Sequence, residues 1–469
     1  MTAEQVAALG PAFTEYLRHF RPCFVTSNTF AHLGTYCRGL LSDLDRKSVE
    51  PIALAAGSAV RTLQEFLTHH VWDHDALLAR IQRRIVTDHL PAPGPGQRRG
   101  DDDDDELGVI GLIDETSVPK KGDKTPGVQR QYCGALGKLE NCIVTVHLAV
   151  KHGPFLAMLD SDLFLPEQSW DLDRRRCREA HVPDDITYRP KWLIALEQLE
   201  RATANGVRFD WLVFDEGYGG KPEFLRLLDE RGQHYVAEVP RNFMCWPTLP
   251  KYDSLQAPFA AKRVDNAATW GKPFLRQEGQ AVQLDRQTLG PQTWNVKAAQ
   301  VYLQREDGRP TDRTYWLIVA RNLQTDETKY FISNAPPQTK LLTLLKVAFS
   351  RWGVEHAFRL VKSEIGFGHF EGRSWRGLLR HMILCQAVML FVAEKTTRLR
   401  GEKPEARVDV DDGTDGAGAE RGLPALAEAS ARVIIGSGAR RLGHPLSPGP
   451  QRGRQTLADS VGAKAEVAL

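Results

Sequence analysis

The sequence has 469 residues, of which 42% are hydrophobic and 26% are charged, and its formal net charge is +2. The length corresponds to roughly three domains, and the mixture of residues is that of an ordinary globular protein. The seven cysteines show no Cys-x2-Cys spacing. Their scatter argues against a zinc ribbon or a disulfide-stabilised fold and favours a reducing compartment.

The first residues show no charged start followed by an apolar run, so no secretory signal is predicted. The longest apolar stretch, residues 382–393, covers about half of a bilayer and predicts a buried helix. We therefore expect a cytoplasmic protein without a membrane partner.

The first part of the chain is predicted to be helical. Residues 1–90 place Leu, Phe, Ile and Val at helical spacing, which predicts an all-helical N-terminal domain. Residues 91–106 combine a Pro- and Gly-rich stretch with the acidic run 101–105. This composition is typical of a solvated linker.

From residue 107 the spacing changes to that of strands. The pattern predicts five strands and two helices, namely strands at 107–113, 142–150, 155–159, 209–214 and 234–239 and helices at 191–204 and 222–231. The resulting β-β-β-α-β-α-β order is typical of an RNase H-like core, in which an antiparallel meander is extended by parallel strands. The first part of this core is predicted to span residues 107–240.

The predicted α/β core is then interrupted. Residues 241–310 contain short alternating runs with turn residues and predict a mainly β insertion. The core resumes at 311–398, with predicted strands at 314–320 and 330–333 and predicted helices at 342–365 and 375–397. Residues 399–469 are rich in Gly, Ala, Asp, Glu and Arg without aromatic residues, which predicts a disordered tail.

Three carboxylates stand in distinctive settings. Asp114 and Asp215 each follow an apolar strand, and Glu355 lies on a predicted helix with Arg351 and Lys362 on the same stripe. One acidic side chain flanked by two cations is unusual for a plain solvated face. The arrangement suits a site that holds a divalent metal and a phosphate together.

The predicted fold brings these carboxylates together, because the first and fourth strands are neighbours and the helix of Glu355 packs across the same end. Converging carboxylates can hold two Mg²⁺ ions about 3.5–4 Å apart for phosphoryl chemistry. Taken singly, each aspartate is more often a turn or cap residue, and Glu355 a surface residue. Glu115, Glu216 and Glu364 remain rival ligands.

Several motifs accompany the carboxylates. They are Ile113-Asp114-Glu115-Thr116, Asp215-Glu216-Gly217-Tyr218, the Arg-x3-Glu-x6-Lys spacing of Arg351, Glu355 and Lys362, Pro119-Lys120-Lys121-Gly122, and His369-Phe370-Glu371-Gly372-Arg373-Ser374-Trp375-Arg376-Gly377. These motifs resemble those of insertion-sequence transposases of the DDE superfamily, and the resemblance runs from about residue 15 to about residue 395. The branch concerned has a Tyr-x2-Arg-x3-Glu-x6-Lys signature, and Ala348 stands here at the position of its tyrosine.

The resemblance implies a catalytic triad of Asp114, Asp215 and Glu355 that binds two Mg²⁺ ions, for which Mn²⁺ can substitute. It implies DNA cleavage at the ends of an insertion sequence and strand transfer into target DNA. The implied partners are the terminal inverted repeats, the target DNA and a second copy of the chain in a homodimeric complex. DNA binding by the N-terminal domain and a place at the nucleoid in the cytoplasm are also expected.

Basic residues near the motifs are expected to bind DNA phosphates. These candidate residues are Arg351, Lys362, Lys120, Lys121, Arg130, Arg373 and Arg376. The lysine-rich loop can equally be a solvated hairpin tip, and Trp375 can either stack on DNA or start a helix. Trp270 and Trp294 can hold an unpaired base, although a core role is favoured for both.

Two other functions remain open. The chain can be a catalytically impaired DNA-binding regulator derived from a transposase, an alternative to which Ala348 gives weight. It can also be a metal-dependent nuclease that does not join strands.

Overall fold

The computed structural model describes residues 3–91, 107–249, 262–286, 290–351 and 364–401. Nearly all of the predicted linker 91–106 and tail 399–469 lies outside these described residues. So does the segment 352–363, which contains Glu355 and Lys362.

The N-terminal part is helical where it is described. Its helices are α1 (Ala3–Arg18), α2 (Ser27–Leu41), α3 (Val49–Ala55), α4 (Val60–Thr68) and α5 (His74–His89), with a 3-10 turn at Arg21–Cys23. The Thr26 side chain accepts a hydrogen bond from the Thr29 amide and thereby caps α2, and Asp73 caps α5 in the same way. That these helices form a separate DNA-binding domain stays a prediction.

The rest of the described chain consists of a large mixed sheet and the helices around it, so the α/β class is confirmed. Its strands are β1 (Ile110–Pro119), β2 (Gln129–Cys133), β3 (Lys138–His152), β4 (Phe155–Leu163), β5 (Trp211–Phe214), β6 (Tyr235–Val239), β7 (Met244–Trp246), β8 (Lys262–Arg263), β9 (Gln280–Arg286), β10 (Gly290–Leu303), β11 (Tyr315–Asn322) and β12 (Thr328–Ser333). Their order is β2-β3-β1-β5-β6-β12-β11-β10-β7-β8, with β4 on β3 and β9 on β10.

The strand pairing in the sheet changes from antiparallel to parallel at β1. Strand β1 pairs with β3 antiparallel and with β5 parallel, and β5 pairs with β6 parallel. Strand β12 then pairs with β6 antiparallel and joins β11 and β10 to the same sheet. The predicted meander followed by parallel strands is therefore present, and the strands after residue 241 extend its sheet.

The remaining helices cover and flank this sheet. They are α6 (Arg174–Glu179), α7 (Lys191–Ala204), α8 (Glu216–Gly219), α9 (Pro222–Glu230), α10 (Val264–Trp270), α11 (Lys272–Leu275), α12 (Leu341–Phe349) and α13 (Trp375–Gly401), with single turns at Glu167–Asp171 and Phe367–His369. Helix α12 covers the first part of the helix predicted at 342–365 as far as Phe349, and residues 352–363 of that prediction lie outside the described residues. The Ser350 hydroxyl donates to the Val347 carbonyl at 2.6 Å, which competes with helical bonding at this point.

Helix α13 connects the N-terminal helices to the sheet. Over Trp375–Arg398 it is long and apolar enough to cross a membrane, but 83% of its apolar window is buried inside the protein. This burial agrees with the predicted core helix. The Tyr16 hydroxyl donates to the Ala387 carbonyl at 2.6 Å, and a 2.9 Å hydrogen bond joins Tyr36 to His381.

A buried arginine on α13 completes the end of α4. Arg380 Nη1 donates to the carbonyls of Phe66, Leu67 and His70 at 3.0–3.3 Å, and its Nη2 donates to the Trp72 carbonyl at 2.9 Å. Carbonyls at a helix end need such donors when they are buried. Burial lowers the pKa of Arg380 to about 10.

Replacing Arg380 with Met is expected to lower the free energy of unfolding by about 3 kcal/mol, because the carbonyls of Leu67, His70 and Trp72 lose the donor that Arg380 supplies. Urea denaturation followed by circular dichroism measures the change. Arg376→Met is the matched control, since Arg376 lies four residues earlier on the same helix and is exposed. Equal denaturation midpoints for the two variants would contradict the capping role.

Candidate active site

Asp114 and Asp215 lie side by side. In the parallel pair of β1 and β5, Ile113 is opposite Phe214, so the two aspartates follow at adjacent positions. The prediction that Asp114 ends its strand is wrong, because β1 continues along β3 as far as Pro119. Asp114 lies instead where the parallel partner of β1 ends, while Asp215 is the N-cap of α8 and accepts from the Gly217 amide at 3.0 Å.

Burial gives Asp114 an unusual electrostatic state. It raises the pKa of Asp114 from 3.8 to about 7; the nearby Arg351 guanidinium lowers this pKa, and the neighbouring Asp215 raises it. Arg351 Nη1 lies 3.5 Å from Asp114 Oδ2, and the two side chains are only 15% and 14% exposed. Removing a carboxylate from water without full compensation makes its charged form costly. A bound cation would relieve this cost.

A third carboxylate, Glu238, is adjacent to this pair. Strand β6 runs parallel to β5 with Phe214 opposite Ala237, which places Glu238 level with Asp215. Its Oε2 lies 3.9 Å from Arg351 Nη2, and its Oε1 accepts from Lys329 Nζ at 2.6 Å. The sequence analysis missed Glu238, although one acidic residue within the apolar strand Tyr235–Val239 was a usable signal.

Tyr218, from the Asp215 motif, is buried beneath the carboxylates. Its hydroxyl has no hydrogen-bond partner among the described residues. Burial raises the pKa of Tyr218, and the charges of Glu115, Asp114 and Asp215 raise it further. A buried hydroxyl without a partner is costly unless a ligand or water completes the site.

The rival carboxylates next to the aspartates have different surroundings. Glu115 follows Asp114 on the strand, so its side chain leaves the opposite face of the sheet, where it pairs with Lys191 at 2.7 Å. Glu216 is exposed. These positions favour Asp114 and Asp215 as ligands. Glu364 is partly buried, and its backbone carbonyl accepts from Lys47 Nζ.

The donor set of this site fits a hard divalent cation. Asp114 and Asp215 supply carboxylate oxygens at one place, which is the ligand type that Mg²⁺ and Mn²⁺ prefer. Another group, Asp88, His89 and Glu394, has ligand atoms within 4.8 Å of one another. There Arg84 already pairs with Glu394 at 2.6 Å, so that group is occupied by a protein cation.

The predicted phosphate-binding cations differ in accessibility. Lys120 Nζ donates to the Phe370 carbonyl at 2.5 Å, and burial lowers its pKa to about 8. It therefore joins two loops within the protein. Four other candidates, Lys121, Arg130, Arg373 and Arg376, are exposed.

The loops of the exposed cations are held next to each other. Thr125 Oγ1 donates to the Gly372 carbonyl at 3.5 Å, and an Arg176 nitrogen donates to the Asp123 carbonyl at 2.8 Å. The loop after β1 thus contacts both α6 and the loop before α13.

The tryptophans have clear environments. Trp375 is 3% exposed at the start of α13, and Trp294 is fully buried. Both are core residues, which agrees with the favoured alternative for Trp294. Trp270 is 67% exposed, so the core role predicted for it is wrong; it ends the short helix α10 at the surface.

Comparison with known proteins identifies the family. A family model described as DDE superfamily endonuclease matches residues 19–300, which is more than half of the chain. The chain belongs to the DDE superfamily of endonucleases. A "Probable transposase for insertion sequence element IS701" from Microchaete diplosiphon is 27% identical over 370 residues, covering 76% of this chain and 80% of that protein. The resemblance to DDE-superfamily insertion-sequence transposases is therefore confirmed.

The family model matches only part of the candidate site. Residues 19–300 include Asp114, Asp215 and Glu238 but end before Arg351. The assignment of the chain to the DDE superfamily therefore does not depend on the Arg-x3-Glu-x6-Lys motif.

Replacing Asp114 with Asn is expected to stabilise the metal-free protein near pH 8 and to change its stability little near pH 4. The pKa of Asp114 is raised to about 7, so the unfolded chain loses this proton at lower pH than the folded chain. The wild-type free energy of unfolding therefore falls as the pH rises from about 4 to about 7, by up to about 4 kcal/mol.

Urea denaturation in chelator-treated buffer at several pH values measures this difference. The exposed Asp185 offers Asp185→Asn as a control that should follow the wild type. A constant difference between Asp114→Asn and wild type across the pH range would contradict the prediction.

Proposed function

We propose that this protein is a transposase that cleaves DNA at the ends of an insertion sequence and joins those ends to target DNA. The adjacency of Asp114 and Asp215 on parallel strands, with Arg351 beside them, is the observation that carries the proposal. Membership of the DDE superfamily and the similarity to a transposase support it.

In this proposal Asp114, Asp215 and Glu355 form the catalytic triad and hold two Mg²⁺ or Mn²⁺ ions. Such ions activate the attacking oxygen and stabilise the leaving oxygen of an in-line displacement. Asp114 and Asp215 contribute by fixing two ligand positions at the end of the β1–β5 pair. The buried setting of Asp114 supports this role, because low solvent access strengthens its attraction for a cation.

Cations of the chain would bind the DNA. Arg351 and Lys362 would neutralise charge on the scissile phosphate. The exposed Lys121, Arg130, Arg373 and Arg376 would follow the DNA backbone and position the duplex, and Lys120 would hold their loops together. The hydrogen bond between the two basic loops supports a single track for the backbone.

The proposed architecture is an RNase H-like core of residues 107–240 and 311–398, with an insertion at 241–310. Residues 1–90 would bind the terminal repeats, with 91–106 as a linker and 399–469 as a tail. A homodimer would hold the paired element ends at the nucleoid. The antiparallel pairing of β1 with β3 and the parallel pairing of β1 with β5 support the core.

Asp114→Asn, Asp215→Asn and Glu355→Gln are each expected to reduce strand cleavage by a factor of about 10³ or more, because each loses a metal ligand. Binding of the element ends should change little, since each substitution keeps the size of the side chain. The measurement combines a cleavage and joining assay in Mg²⁺ or Mn²⁺ with end binding in Ca²⁺.

Glu115→Gln, Glu216→Gln and Glu364→Gln are the matched controls and should retain cleavage. Normal cleavage by Glu355→Gln together with loss in Glu364→Gln would move the third ligand to Glu364. End binding by the wild type without any nicking would instead identify a regulator, and nicking without joining would identify a simple nuclease.

Arg373→Gln and Arg376→Gln are expected to weaken DNA binding and to reduce the slope of log affinity against log salt by about 1 for each DNA phosphate that the variant no longer neutralises. Fluorescence anisotropy across a salt series measures this slope. Arg321→Gln removes an arginine that is 61% exposed on β11, outside the proposed DNA-binding regions, and serves as control. An unchanged slope in both variants would exclude these arginines from the DNA interface.

A further inference from the structure

Glu238 connects two cations through its two oxygens. Lys329 Nζ is 2.6 Å from Oε1, and Arg351 Nη2 is 3.9 Å from Oε2. The other guanidinium nitrogen of Arg351 is 3.5 Å from Asp114 Oδ2. Each of these four side chains is 13–16% exposed, so water screens the network weakly.

The sheet brings these four groups together. Asp114 and Glu238 lie on the strands that flank β5, each one residue beyond the aligned Ile113, Phe214 and Ala237. Glu238 is opposite Phe331 of β12, and Lys329 lies two residues away on the same face. Arg351 follows α12 and spans the end of β5 between the two carboxylates.

We propose that Glu238 is a positioning residue that holds Arg351 away from Asp114 when a divalent metal binds. The inference rests on the proposed function, because it takes Asp114 as a metal ligand and Arg351 as a phosphate-binding cation. Glu238 is shared between Lys329 and Arg351, which fixes its carboxylate within the sheet. Its second oxygen attracts the guanidinium, which lies between the two carboxylates, 3.5 Å from Asp114 Oδ2 and 3.9 Å from Glu238 Oε2.

The physical reason is competition for one carboxylate. Arg351 and a divalent cation are both attracted to Asp114, and a guanidinium close to that oxygen weakens metal binding. The negative charge of Glu238 draws the guanidinium in the opposite direction. Arg351 then stays within the site, where a DNA phosphate can accept two hydrogen bonds from its guanidinium.

Glu238→Gln tests the proposal in two backgrounds, wild type and Arg351→Gln. Mn²⁺ is titrated into the full chain without DNA, and binding is followed by calorimetry or by the spectrum of free Mn²⁺. We expect Glu238→Gln to raise the apparent Kd about fivefold in the wild type and less than about twofold in Arg351→Gln, since coupled residues show non-additive effects.

Glu327→Gln is the matched control. Glu327 is the other carboxylate on Lys329, at 3.4 Å, and it should leave the Mn²⁺ affinity unchanged. Lys329→Gln is a second variant, which should change the Mn²⁺ affinity in the opposite direction. Without Lys329, both oxygens of Glu238 can pair with Arg351. Its apparent Kd should fall in the wild type and not in the Arg351→Gln background.

Two results would overturn the inference. Equal effects of Glu238→Gln in both backgrounds would mean that its charge acts on the metal directly and not through Arg351. Mn²⁺ binding that is absent, or that is unaffected by Asp114→Asn, would remove the proposed function together with the inference. Normal Mn²⁺ binding with loss in Asp114→Asn but additive effects of Glu238→Gln would reject the inference alone.

Discussion

The candidate site depends on the in-register parallel pairing of β1, β5 and β6. Neighbouring strands lie about 4.8 Å apart, so residues that are level with one another have side chains in close proximity. The alignment of Ile113 with Phe214 and of Phe214 with Ala237 therefore sets Asp114, Asp215 and Glu238 in a row. A shift of one residue in either pairing would turn a carboxylate to the other face of the sheet.

A row of carboxylates at the edge of a hydrophobic core must be neutralised. Among the described residues, Arg351 and Lys329 supply two positive charges close to these three acids. Burial still raises the pKa of Asp114 to about 7, so the cations among the described residues do not fully offset the cost of burying its charge. A divalent ion at Asp114 and Asp215 would offset this cost, which gives a structural reason for metal binding that is independent of the family.

The sequence predicted the parts of the fold that local patterns determine. Helix α7 was predicted at its observed bounds, and the adjacency of Asp114 and Asp215 followed from two apolar runs in an α/β order. The errors arose where pairing with a strand that is distant in sequence determines the structure. Strand β1 continues beyond Asp114 because β3 still pairs with it. Its place in an apolar strand made Glu238 unusual, but its position beside Asp215 depends on the register of β6 against β5, which no local pattern contains.

The strands after residue 241 also contribute to the site through packing. Phe349, the last residue of α12, packs against Trp294 of β10 and Phe331 of β12, with ring centroids 4.9 and 5.7 Å apart. Arg351 follows two residues later. The neighbouring Ala348, at the tyrosine position of the signature, is itself only 4% exposed. The aromatic contacts thus hold the end of α12 in place, and with it the position of Arg351 two residues later.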